Sequence, residues 1–321
     1  MPPQTMKALI QIAYGEPSQV LKVLTVPLPA FDESSDELLL CVKAVSVNPP
    51  DYLIVRGVLK FVWAQQMPAG VGVDLSAVVV KAGKRSGYKE GDEVIGCMPM
   101  QARRSIAEYC VISSQYIALK PKSLSHEEAS CLPVVGLTAI EAFRRHSGPK
   151  DTAFIPAGLG GQHIRDVDVV IDYKKVDPAT AIPAGSCDFV LEQFGKAPSY
   201  VRYMRKPARG STGGKPSIIS IATPPNAEKA QQGWGVSLPF HIRVLLNLWD
   251  AWTRFWIPGW IHYDSFFAVA NSEDLKALAD LADQGKLKPV IDKVFPLDQA
   301  VEALALAESK PAGKVVIRIS D

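Results

Sequence analysis

Two stretches of the 321-residue chain place chemistry-bearing side chains at short spacing. In AVSVNPPDYLIVRG (Ala44 to Gly57), Asn48, Asp51 and Tyr52 can present an amide, a carboxylate and a phenol toward a cleft. The flanking prolines fix φ and predict an extended turn, and a turn of purely structural purpose would use the same residue types. In AFIPAGLGGQHIRDVDVVIDYKK (Ala153 to Lys175), an apolar run meets Gly158, Gly160 and Gly161, which begins like a nucleotide-binding turn whose backbone N–H groups cradle phosphate. A second apolar run starts at Val167, so the interval leaves no room for the helix that a parallel crossover requires.

The elements that must position these residues fall into two patterns. The first third alternates short apolar runs (Met6 to Ile12, Glu37 to Val47, Ser76 to Lys81, Glu93 to Cys97, Glu108 to Ile112) with polar turn clusters, the mark of a β-rich domain. At Ser125 the pattern turns helical, with a capping serine followed by Glu127 and Glu128. From about Thr152 the strands become continuously apolar (AFIPA, VDVVIDY, CDFVLE, SIISIA), as expected of parallel strands covered on both faces. Helical spacing returns in Asn271 to Gln284 and Leu297 to Glu308, and the chain closes on a strand-like run, Lys314 to Ile319.

Composition narrows the function classes. A net charge of +2 with no block of like charges argues against a nucleic-acid surface. Cys41, Cys97, Cys110, Cys131 and Cys187 are scattered, without a C-x-x-C pair or a histidine at ligand spacing, so reduced thiols and no metal are expected. The opening MPPQTMKALIQ resembles neither a secretory signal nor a transit peptide, which predicts the cytosol. LPFHIRVLLNLWDAWTRFWIPGWIHY (Leu238 to Tyr263) carries four tryptophans, but its charges and Pro258–Gly259 break it below the length of a membrane span. It reads as an amphipathic helix on the core or on a second subunit, with a substrate-pocket lid and a membrane-surface contact as the other readings.

Eight segments in order resemble the zinc-independent quinone oxidoreductase and enoyl reductase branch of the medium-chain dehydrogenase/reductases. They are AVSVNPPDYLIVRG, GVDLSAVVVKAG, YKEGDEVIG, IAEYCVI, CLPVVGLTAIEA, IPAGLGG, GKLKPVIDKVFPLDQAVEALALAES and GKVVI. The resemblance implies an α/β protein: a GroES-like β-rich substrate domain from residues 1–125, with 281–321 returning to it, and a truncated Rossmann-type doubly wound parallel sheet in 126–280. It also implies an oxidoreductase that moves a hydride from NADPH to an enone, quinone or enoyl group of a small apolar carbonyl substrate. Tyr52 would donate a hydrogen bond near the carbonyl, with Asn48 orienting it. Thr138 in VGLTA would contact the nicotinamide, and Gly158, Gly160 and Gly161 would hold the cofactor. No metal is implied, and relatives commonly form homodimers through the edge of the Rossmann sheet.

Against that family, roughly 30 to 40 residues are missing after Gly161, by the size of an ordinary βαβ unit. They would include the helix that receives the pyrophosphate and the strand end that reads the adenosine ribose. Two further departures are Ala77, where the family runs into glycine, and Glu192, in place of a customary aspartate. Three accounts stay open: a skipped exon or faulty gene model, a remodelled cleft that binds the dinucleotide weakly, and a redox-silent paralogue serving in binding, scaffolding or non-redox chemistry. The Trp-rich segment around Leu238 to Tyr263 would enlarge an apolar acceptor pocket for a bulky hydrophobic enone.

Overall fold

The computed structural model describes residues 3–60, 64–149, 152–155, 171, 175–209 and 213–320. In chain order the first elements are β1 (Thr5–Gln11), α1 (Pro17–Val20), β2 (Leu21–Pro27), β3 (Glu37–Ser46), α2 (Pro49–Val55), β4 (Ala69–Gly70), β5 (Asp74–Ala82) and β6 (Glu93–Cys97). Next come β7 (Tyr109–Ser113), β8 (Ile117–Leu119), α3 (His126–Ser130), α4 (Pro133–Arg144), β9 (Ala153–Phe154), α5 (Pro178–Ala181), β10 (Phe189–Glu192) and β11 (Ser217–Ser220). The last are α6 (Ala227–Trp234), α7 (Phe240–Phe255), β12 (His262–Ser265), α8 (Ser272–Asp283), β13 (Ile291–Pro296), α9 (Ala300–Glu308) and β14 (Lys314–Arg318).

The described residues form two compact units, one from 1–137 and 269–321, the other within 138–268, and the division falls inside α4 after Leu137. The first unit is antiparallel in its main pairings. β3 lies at its centre, pairing with β5, β7 and β14, so its run ELLLCVKAVS is covered on both faces and Leu38, Leu40, Val42, Ala44 and Val45 are fully buried. The C-terminal strand β14 lies antiparallel to β3, with Val316 opposite Ser46 and Arg318 opposite Ala44. Gly72 sits at φ +96° beside Ser105, where a Cβ would stand 2.5 Å from the hydroxyl oxygen; glycine lets the backbone pass and deliver Asp74 to the start of β5.

The second unit carries a parallel sheet in the order β12-β11-β10-β9. β10 and β11 are buried at every residue, which accounts for the uninterrupted apolar character of their runs. β9 is the edge of the sheet among the described residues. Of the strand expected at VDVVIDY only Ile171 is described, and the residues around the proposed gap after Gly161 lie outside the described residues.

One expectation is corrected. NPPDYLIV is not an extended turn but helix α2, because its two prolines occupy the first helical turn, where their fixed φ fits and a missing N–H costs nothing. Asp51 fills the third position and its Oδ2 accepts the Asn48 N–H at 2.7 Å, tying off the helix start. Asn48 and Tyr52 are therefore four residues apart, on one face of α2.

Candidate functional site

In the first unit the polar residues at the start of α2 converge with β5 and β14. Asn48 is 1% exposed; its Nδ2 donates to Asp74 Oδ2 at 2.8 Å and to Ser46 O at 3.3 Å, and its Oδ1 accepts from Lys314 Nζ at 2.6 Å. Asp74 also accepts from Ser46 Oγ at 3.0 Å and from the Val134 N–H at 2.9 Å, at the first turn of α4. Burial pushes the Asp74 carboxyl above its ordinary range, against the pull of Lys314 and these donors. The amide of Asn48 thus has its orientation fixed by three partners.

Tyr52 stands one turn along. Its ring packs against the core of this unit, and its hydroxyl makes no hydrogen bond among the described residues. Burial, with Glu308 and Asp51 nearby, raises its pKa, so it remains a phenol with a proton to donate. Beneath it Asp51 is fully buried and pushed up to about 7, chiefly by burial. Among the described residues its Oδ1 has no partner, and Nε and Nη1 of buried Arg103 and Oγ of Ser105 are likewise unpartnered. Arg103 keeps one bond, Nη2 to Gln11 Oε1 at 2.7 Å, and burial lowers its pKa to about 10.

The second unit gathers its polar groups at the carboxyl ends of its parallel strands, where open α/β sheets bind ligands. Glu192, fully buried at the end of β10, accepts the N–H of Phe194 at 2.6 Å and of Lys196 at 3.0 Å, and Ser220 Oγ at 2.6 Å. Ser220 Oγ in turn accepts the N–H of Thr223 at 2.9 Å, and the Thr223 hydroxyl lies beside that of Tyr263. Deeper in this unit Asp264 takes Arg145 Nη1 at 2.7 Å and Lys229 Nζ; burial pushes its carboxyl up, and these two cations more than offset that, holding it below the ordinary range. Thr138 is half-buried in α4, in this unit. Gly158, Gly160 and Gly161 lie outside the described residues.

Residues 34–122 match the alcohol dehydrogenase GroES-like domain family, and residues 165–317 match the zinc-binding dehydrogenase family. The chain is 28% identical to the chloroplastic quinone-oxidoreductase QR1 of Triphysaria versicolor, over 97% of this chain and 98% of that one. It is 26% identical to the mitochondrial NAD(P)H oxidoreductase RTN4IP1 of Homo sapiens, over 98% and 89%. The quinone oxidoreductase structure from Coxiella burnetii superposes with a TM-score of 0.76 at 24% identity, covering 98% of this chain and all of that one. The chain belongs to the medium-chain dehydrogenase/reductase superfamily.

As a member of that superfamily it combines a GroES-like domain with a Rossmann-like parallel sheet. The parallel order β9-β10-β11-β12 brings the carboxyl ends of its strands together, where open α/β sheets bind ligands. Loops pinned by Glu192 at these strand ends, with the backbone N–H groups of Phe194 and Lys196 drawn in toward them, fit a polar ligand there. Among the described residues no three His, Cys, Asp or Glu side chains are grouped to hold a metal ion. Cys110 and Cys131 are pushed up to about 12 by burial and remain protonated thiols.

Sequence reading missed Asp74, Lys314 and the Glu192–Ser220 pair. The available signal was an acid opening the apolar run DLSAVVV and a lysine opening KVVI, each a charge on a strand otherwise buried. Nothing local tells that Lys314 meets Asn48 across 266 residues.

Proposed function

We propose that the chain is an NADPH-dependent oxidoreductase that reduces a small apolar enone, quinone or enoyl compound. Oxidoreductases recur among its relatives, which favours this reading over a redox-silent paralogue. When bound, NADPH supplies a hydride from the nicotinamide ring. Tyr52 donates a hydrogen bond to the acceptor carbonyl, stabilising the negative charge that builds on its oxygen. Asn48, pinned by Asp74 and Lys314, fixes the end of α2 from which Tyr52 projects. Thr138 is the polar contact on α4 for the nicotinamide, and Gly158, Gly160 and Gly161 supply backbone donors to the cofactor phosphates. The observation that carries this reading is the Tyr52 hydroxyl, protonated, without a hydrogen bond among the described residues, and one helical turn from an immobilised polar cluster.

The reading puts the protein in the cytosol, whereas the two relatives named above are a chloroplastic and a mitochondrial protein. The test is NADPH oxidation, with NADH alongside, against benzoquinone, cyclohexenone and crotonyl-CoA. Turnover of at least one acceptor with NADPH preferred, reduced by Tyr52→Phe with the melting temperature unchanged, supports the reading. Absence of turnover with every acceptor and both nucleotides would refute it.

A further inference from the structure

Helix α7 is turned inside out relative to an ordinary surface helix. The narrow seam it sets against its own unit includes Asp250 and Thr253, both buried, while Leu245, Leu248, Trp249, Trp252, Phe255 and Trp256 are between 53% and 75% exposed. An amphipathic helix that served only the fold would face the other way. At its C-terminal end Trp252, Phe255 and Trp256 stack on one another, with Trp252 and Trp256 edge to face at 5.6 Å and Phe255 and Trp256 at 5.3 Å. Trp249, Trp252 and Trp256 are more than half exposed.

Charge decides what covers this face. The single acid of α7, Asp250, points inward and holds Arg254 Nε at 2.8 Å. The exposed ionisable side chains of the helix are His241, Arg243 and Arg254, all bases; Arg254 is held by Asp250 and the Tyr263 carbonyl, which leaves His241 and Arg243 facing outward. In the turn that follows, Lys215 Nζ donates to Gly259 O at 2.6 Å, adding a cation. A second copy of the chain packed on α7 about a two-fold axis would set these bases against themselves, with no exposed acid on the helix to meet them. An anionic lipid surface complements both features: aromatic and leucine side chains enter the interface, and the flanking bases meet phosphate headgroups.

We propose that α7 is an interfacial anchor that lays the protein on an anionic phospholipid membrane. The helix runs 16 residues, about 24 Å at 1.5 Å per residue. Among the described residues no helix is long and apolar enough to cross a membrane, so the contact is peripheral. Trp252 and Phe255 enter the acyl boundary; Arg243 stays at headgroup level.

Flotation of the full chain with phosphatidylcholine vesicles, with and without phosphatidylserine, tests this, with tryptophan emission recorded in parallel. The expected result is recovery with the phosphatidylserine vesicles and a blue-shifted emission. Trp252→Ser combined with Phe255→Ser should lower partitioning about 100-fold with the circular-dichroism melt unchanged. Arg243→Glu, a surface change that leaves every aromatic in place, should remove about five-fold or more of the phosphatidylserine preference. A protein that stays out of both vesicle fractions overturns the proposal. So does a dimer in sedimentation that the two aromatic changes dissociate without vesicle binding by the wild type, which would give the face to a second copy.

Discussion

The two units treat buried carboxylates in opposite ways. In the β-rich unit Asp51 and Asp74 are crowded by apolar strands, and burial raises both above their ordinary range, Asp51 to about 7. In the parallel-sheet unit Asp264 is buried too, yet Arg145 and Lys229 hold it below that range, and Glu192 collects three donors from its own loops. The contrast separates two uses of the same chemical group. Held by two cations or by three donors, Asp264 and Glu192 fix the ends of strands; Asp51, buried with one oxygen unpartnered among the described residues, sits in the polar cluster next to Tyr52.

Removing an anchor should therefore cost most. Glu192→Ala leaves the buried Ser220 hydroxyl and two part-buried backbone N–H groups without their acceptor, and should destabilise the chain by about 3 kcal/mol in urea unfolding. A loss below about 1 kcal/mol would erase the distinction drawn between the units. Lys314→Met strips Asn48 Oδ1 of its donor and Asp74 of its nearby cation, and should cost about 2–3 kcal/mol, with the melting temperature as readout.

In the β-rich unit, Tyr52→Phe should lower kcat/KM by about 10- to 100-fold, the worth of one hydrogen bond to a charged oxygen, while leaving stability nearly unchanged. Asp51 sharpens the comparison through pH. Its folded-state pKa lies above the unfolded value, so the folded chain binds the extra proton between them. The stability this group contributes is greatest near pH 4 and falls as pH rises toward 7, by up to about 4 kcal/mol. The difference in unfolding free energy between wild type and Asp51→Asn should follow that slope, and a flat difference would contradict the raised pKa of Asp51. The smallest effect belongs to α7: Trp252→Ser should change stability by less than about 0.5 kcal/mol, because that ring faces solvent.

Much of this was legible beforehand, and the reasons differ by residue. The runs ELLLCVKAVS and CDFVLE announce β3 and β10 because strands covered on both faces have no polar side to interrupt them. Ser125 announces α3: its Oγ accepts the Glu128 N–H at 3.2 Å and the Glu128 carboxylate accepts the Ser125 N–H at 3.0 Å. α2 was hidden because proline is read first as a breaker, although in a first helical turn it is a starter. α7 was legible as a helix but not as to which face turns inward, since its apolar residues cover about half its circumference and Asp250 sits on the opposite side. The Asn48–Asp74–Lys314 cluster joins three distant strand and helix ends, and no spacing rule reaches that far.

The central claim is that this chain binds a nicotinamide dinucleotide with the polar strand ends of its parallel sheet and reduces an acceptor beside Tyr52. Calorimetric titration of the purified 321-residue chain with NADPH tests the first half of it directly. The account predicts a micromolar Kd, about 8 kcal/mol of binding free energy, with a matching rise in melting temperature. A cooperatively folded protein that shows neither heat nor thermal shift at millimolar NADPH would contradict it.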